Sequence, residues 1–95
     1  MYAGITEVRA TNEYKLILTF DNNECRLFDI APYLHVGRYA ELQDIEVFKR
    51  VVVSFDTVEW ENGLDIDPEF LYAHSVAIAA PVIQDEPQRE LTLTQ

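Results

Sequence analysis

The run YKLILTFDNNECRLFD, residues 14–29, most constrains what this chain can fold into. Apolar and polar side chains alternate on both sides of DNN, and a period of two belongs to strands with one buried face. Asparagine tolerates the positive φ of a tight hairpin turn, so Asn22-Asn23 reads as a two-residue loop. That register sets Asp21 opposite Glu24, Phe20 opposite Cys25 and Leu18 opposite Leu27. Leu16, Leu18, Phe20, Cys25 and Leu27 then share a buried face, with Lys15, Thr19 and Arg26 on the other. Upstream, ITEVRAT (5–11) reads as a further strand.

A second hairpin is expected from RVVVSFDTVEW, residues 50–60. With Asp56-Thr57 as its loop, Phe55 faces Val58 and Val53 faces Trp60 on one side, and Ser54 faces Glu59 on the other. Trp60 is expected in the core. Between the hairpins, DIAPYLHVGRYAELQDIEVFKR suits two or three short helical turns. Asp29, followed by Pro32 in the same turn, and Asp44 are cap residues, each able to accept from free N–H groups of the turn it opens. Gly37 separates the pieces. Tyr39 and Leu42, then Ile45 and Phe48, have the i,i+3 spacing that covers an apolar face.

Residues 58–75, VEWENGLDIDPEFLYAHS, concentrate five carboxylates, a tryptophan and a histidine. Four of the carboxylates have a direct structural reading, and Asp65 lies in the short extended link LDI. Asn62-Gly63 is a turn, since glycine accepts positive φ. Asp67 is an N-cap, Pro68 the first helical residue, and Glu69 lies in a first turn that favours negative charge. Phe70, Leu71 and His74 share one face of that helix, while Glu59 and Glu61 lie on a solvated strand face. The expected fold is α+β: an N-terminal strand and two antiparallel hairpins packed with short helices, in the order β-β-β-α-α-β-β-α. Residues 1–76 form the domain and 77–95 a C-terminal tail, in which PVI or ELTLT is suited to pairing with a sheet edge.

Composition narrows the function classes. Ninety-five residues support one core. The formal net charge is −10, and no lysine or arginine occurs between Val51 and Gln88. Such a chain repels phosphate backbones and anionic lipid. No apolar run is long enough to span a bilayer, and MYAGITEVRA lacks the features of a secretory leader, so a cytoplasmic location is expected. One cysteine, Cys25, excludes an internal disulfide and a multi-thiolate zinc site. Asp65, Asp67 and Glu69 have calcium-loop spacing, but the sixth position is Phe70 rather than glycine and the twelfth Val76 rather than glutamate. No nucleophile turn surrounds Ser54 or Ser75, and three glycines form no phosphate loop. Neither catalytic residues nor a metal or cofactor is expected.

YKLILTFDNNECRLFDIAPYL followed by VVVSFDTVEWENGLDIDPEFLY resembles a bacterial family, domain of unknown function 2442, over roughly residues 4–76. The most specific parts are FD-I-PYL at 28–34 and W-NG-DI-PE-LY at 60–72. The resemblance implies a small α+β domain and carries over no catalytic residue. It also implies, for some members, a toxin–antitoxin-like pairing with a neighbouring small protein. The missing catalytic constellation, the acidity and the strand-like tail make the expected function a non-catalytic interaction module, the antitoxin-like or regulatory half of such a pair. Acidity adds the expectation of a basic protein partner, met through Glu59, Glu61, Asp65 and Glu69. Uncovered sheet edges make a homodimer plausible. The alternative is a small-ligand or metal-binding homo-oligomer with a site near Asp65, Asp67 and His74.

Overall fold

The computed structural model describes residues 4–79. The first alternating run becomes β2 (Lys15–Phe20) and β3 (Cys25–Asp29), with β1 (Ile5–Ala10) antiparallel to β2. Two 3₁₀ stretches, Ala31–Tyr33 and Gly37–Gln43, lead to the one-turn α1 (Ile45–Phe48). The second hairpin is β4 (Val52–Ser54) and β5 (Thr57–Glu59), joined by β6 (Asp65–Ile66). Then come α2 (Pro68–His74) and β7 (Val76–Ile78). The fold is α+β, with a four-stranded sheet β1-β2-β3-β7 and a three-stranded sheet β4-β5-β6. Two short strands are thus added to the expected order. β7 pairs with β3 and carries Ala77 and Ile78 into the sheet. The expected edge-pairing segments PVI and ELTLT lie outside the described residues.

The first hairpin takes a different register from the two-residue loop. Thr19 faces Cys25, Leu18 faces Arg26 and Leu16 faces Phe28. The loop has three residues: the Asn23 N–H donates to the Phe20 carbonyl, and the Phe20 N–H to the Glu24 carbonyl, both at 2.9 Å. Asn23 takes the left-handed conformation, φ 71°. A one-residue slip turns every β3 side chain to the opposite face. Phe28 joins Leu16, Leu18 and Phe20 in the core, Arg26 comes inward, and Cys25 and Leu27 turn to the other side, half-buried.

The second hairpin closes through Phe55-Asp56, with Ser54 opposite Thr57 and Val53 opposite Val58. This two-residue shift preserves the strand faces. It moves Phe55 from the expected apolar side into the turn, where it is 96% exposed at φ 56°. Asp56 is held in that loop because its carbonyl accepts from the Ile5 N–H at 2.9 Å, which ties the two sheets together. Gly4 fits the junction because a Cβ there would lie 3.1 Å from the Asp56 Cβ.

The core runs between the sheets and the short helices. Leu16, Leu18, Phe20, Phe28, Ile30, Leu42, Phe48, Val58, Trp60 and Leu71 are essentially inaccessible. Fully burying a side chain of this size contributes roughly 1.5–3 kcal/mol, so this cluster is the main favourable term. Trp60 lies where the sequence places it. Its indole N–H donates to the Phe48 carbonyl at 2.8 Å, so the ring is buried without an orphaned donor. Among the described residues, no helix is long and apolar enough to cross a membrane.

Candidate functional site

Three aspartates open the turns that flank one cavity. The Asp29 carboxylate accepts from the Ala31 N–H at 3.0 Å, opening the turn that carries Pro32 and Tyr33. Tyr33 stacks on Phe28, with centroids 5.8 Å apart and ring planes 14° apart. Asp67 caps α2 as expected, accepting from the Glu69 N–H at 2.9 Å, with Pro68 at the helix start. That start fixes Phe70, whose ring meets Tyr33 edge-on at 5.6 Å and Phe28 at 6.1 Å. Asp44 caps α1 through the Glu46 N–H at 3.0 Å. Just before it, the 3₁₀ stretch delivers Tyr39, whose hydroxyl donates to the Asp65 carbonyl at 3.4 Å. Burial, then the charge of Asp65, pushes the Tyr39 phenol above its ordinary pKa.

Phe28, Tyr33, Tyr39 and Phe70, with the buried Ile30 and Ile66 and with Asp65 and Asp67, line a cavity of about 430 Å³. That lies within the roughly 300–1,000 Å³ of small-ligand sites. Four aromatic residues dominate the lining, and its charged residues are the exposed Asp65 and Asp67. One oxygen of Asp67 serves the helix cap. Among the described residues, the Asp65 carboxylate makes no hydrogen bond or ion pair. No lysine or arginine lines the space. A second cavity of about 540 Å³, between β1–β2 and β4, has both Glu7 and Arg9 in its lining and no aromatic ring, so it has no comparable preference for one sign of charge.

The structure separates the acidic residues singled out above. Glu59 stands directly opposite Asp65 on β5 and β6. Like charges so placed repel each other, and a cation between them would relieve this. Glu61 is exposed and 3.5 Å from Arg50, while Glu69 is exposed in the first turn of α2 outside the cavity lining. His74 stacks on Phe70 with centroids 4.1 Å apart, its Nδ1 3.0 Å from the Phe70 carbonyl, and does not line the cavity. Among the described residues, no three His, Cys, Asp or Glu side chains gather as a metal-holding group. Asn62 and Gly63 form the expected turn, with Gly63 at φ 85° and the Asn62 side chain accepting from the Leu64 N–H at 3.0 Å.

Sequence reasoning missed the aromatic walls: it set Tyr39 and Phe70 on helix faces, gave Tyr33 no role, and its hairpin register turned Phe28 away from Leu16 and Leu18. A visible signal was that the spans of the two most specific runs, 28–34 and 60–72, contain every wall except Tyr39, although Phe70 stands at an unspecified position of W-NG-DI-PE-LY. It also missed Arg26, which the register brings inward. Its guanidinium carbon lies 4.3 Å from the Tyr72 ring centroid. Its nitrogens donate to Glu24 Oε1 at 2.8 Å, Ser75 Oγ at 2.8 Å and the Ser75 carbonyl at 2.9 Å. Tyr72 donates to the other Glu24 oxygen at 2.6 Å. That hydrogen bond first, and Arg26 second, hold the Glu24 carboxyl below the usual carboxylate range. The same bond to Glu24 raises the Tyr72 phenol.

A family model described as "Protein of unknown function (DUF2442)" matches residues 5–77. The match spans both hairpins, α2 and the first two residues of β7. No curated protein and no solved structure matches the chain.

Proposed function

We propose, for a chain that belongs to this family of unknown function, a non-catalytic protein-interaction module that binds a basic segment of a partner protein in the acid-rimmed aromatic pocket. The observation that carries the reading is the pocket itself: aromatic walls, two exposed aspartates and no basic side chain among its lining residues. Aromatic faces and carboxylates both favour cations, and the net charge of −10 draws a basic partner from a distance. A module of this kind suits the regulatory half of a protein pair acting in the cytoplasm.

The test is capture from a lysate of the source cells with the tagged full chain, beside a D65N/F70L variant checked for an unchanged fold. A stoichiometric basic protein, released by salt and lost from the variant, is the expected result. Equal capture by both chains, or no specific capture by either, defeats the reading.

The pocket volume also suits a small cation held without any protein partner. A thermal-melt series with small organic cations and divalent metals separates this second reading, because a ligand specific for the native state raises the Tm. A series with no shift removes it.

A further inference from the structure

We propose that the group entering this pocket is the guanidinium of an arginine on the partner's segment; this rests on the interaction reading above and names its ligand. The fold already contains one arginine site to compare with it. Around Arg26 stand a carboxylate, a tyrosine face and a backbone carbonyl, at the distances given above. The pocket's lining contains two of these classes of residue, acidic and aromatic. Asp65 and Asp67 supply carboxylates, and Tyr33, Tyr39 and Phe70 supply rings.

Geometry favours arginine over lysine. A guanidinium is flat and can lie against a ring while its edge donates two parallel bonds to a carboxylate. Asp65 is the carboxylate for that role, because neither of its oxygens serves another side chain or a cap among the described residues. An ammonium is strongly hydrated and would be stripped of water against Ile66 and Phe70 without the stacking that offsets the loss. Glu59, opposite Asp65, adds a further negative charge beside the entry.

The experiment titrates the full ¹⁵N-labelled chain with short blocked glycine peptides carrying one central arginine, lysine or citrulline. Free arginine serves as a fourth probe. The arginine peptide is expected to give saturable shifts at the amides of Tyr39, Asp65, Ile66 and Phe70. Citrulline keeps the shape but not the charge and should bind at least tenfold more weakly. Lysine should bind several-fold more weakly. A D65N/D67N variant should lose tenfold or more for arginine at unchanged Tm, since asparagine still caps α2. Citrulline or lysine equal to arginine, shifts mapping elsewhere, or no shift overturns the proposal. Free arginine binding tenfold tighter than the peptide also overturns it, by making the pocket a small-molecule site. Lysate capture lost on D65N/F70L without arginine preference would sink this inference and leave the interaction reading standing.

Discussion

Two turns of this molecule, Phe20–Glu24 and Trp60–Leu64, are built alike around one shared residue type, the asparagine at their centre. In each, the first residue's N–H donates to the fifth residue's carbonyl, and the fourth residue's N–H donates back to the first carbonyl, all at 2.9 Å. In each, an asparagine in the middle, Asn22 or Asn62, accepts from the fifth N–H at 3.0 Å. Each asparagine amide also donates to a glutamate that an arginine pairs with: Glu24 with Arg26, and Glu41 with Arg38. The left-handed position is Asn23 in one turn and Gly63 in the other. Hydrogen bonding therefore sets the turn, and glycine is one way among two to reach it. The arginines differ in depth: the Arg26 side chain keeps 16% exposure, and Arg38 keeps 57%.

Depth gives the largest expected effect. R26A removes bonds to Glu24 and to both oxygens of Ser75 and leaves buried Ser75 short of a partner. Charged hydrogen bonds of this kind contribute roughly 1.5–3 kcal/mol each and do not add fully, so a loss of about 2–3 kcal/mol is expected. R38A breaks a 3.4 Å surface pair and a 2.6 Å bond to the Asn62 carbonyl. In full solvent it should cost about 0.5 kcal/mol or less. Urea denaturation of both variants checks the contrast; equal losses would mean that burial does not distinguish the two sites.

The next effect exchanges the turn residues. Gly63 has no atom within 4 Å of where a Cβ would stand, so G63A meets only the backbone penalty of φ 85°. That penalty is about 1–2 kcal/mol. N23G, at φ 71°, should instead be neutral or gain no more than about 0.5 kcal/mol, because asparagine already tolerates this region. Thermal melts of both single variants measure it. A large gain from N23G would show that Asn23 is strained rather than accommodated.

The same pair of turns shows what was legible in the sequence. Local signals were largely reliable: Asp44 and Asp67 cap the helices that follow them, Asp29 accepts from the Ala31 N–H although Ile30 stands at the cap position, and Asn62-Gly63 turns where glycine marks it. The register of the first hairpin was not legible, because Asn22-Asn23 serves a two-residue loop as readily as a three-residue one. Alternation favoured the two-residue loop, since Cys25 and Leu27 make a more apolar face than Arg26 and Phe28. Once slipped, the register hid Arg26 and put Phe28 on the wrong side. The pocket was illegible for a different reason. Its walls come from 28–39 and 65–70, and only the packing of α2 across β3 brings them together.

The smallest expected effect concerns acid and alkali, and it treats the two turns unequally. Glu24 and Glu41 both have carboxyls held below their ordinary pKa: Glu24 first by Tyr72 and then by Arg26, Glu41 first by Asn62 and then by Arg38. A depressed folded pKa means stability that is present above the unfolded value and lost as pH falls through the folded one. Both turns therefore weaken in acid. Only the first also weakens in alkali, because its tyrosine is raised by Glu24. A raised folded pKa gives stability complete below the unfolded value, near 10, and lost as pH rises through the folded one. Y72F removes the strongest influence on Glu24. It should flatten the acid limb of the stability profile and abolish Tyr72's share of the alkaline limb. N62A removes the strongest influence on Glu41 and should flatten only the acid limb. An alkaline limb unchanged in Y72F would assign that limb to another group and dissolve the proposed difference between the turns.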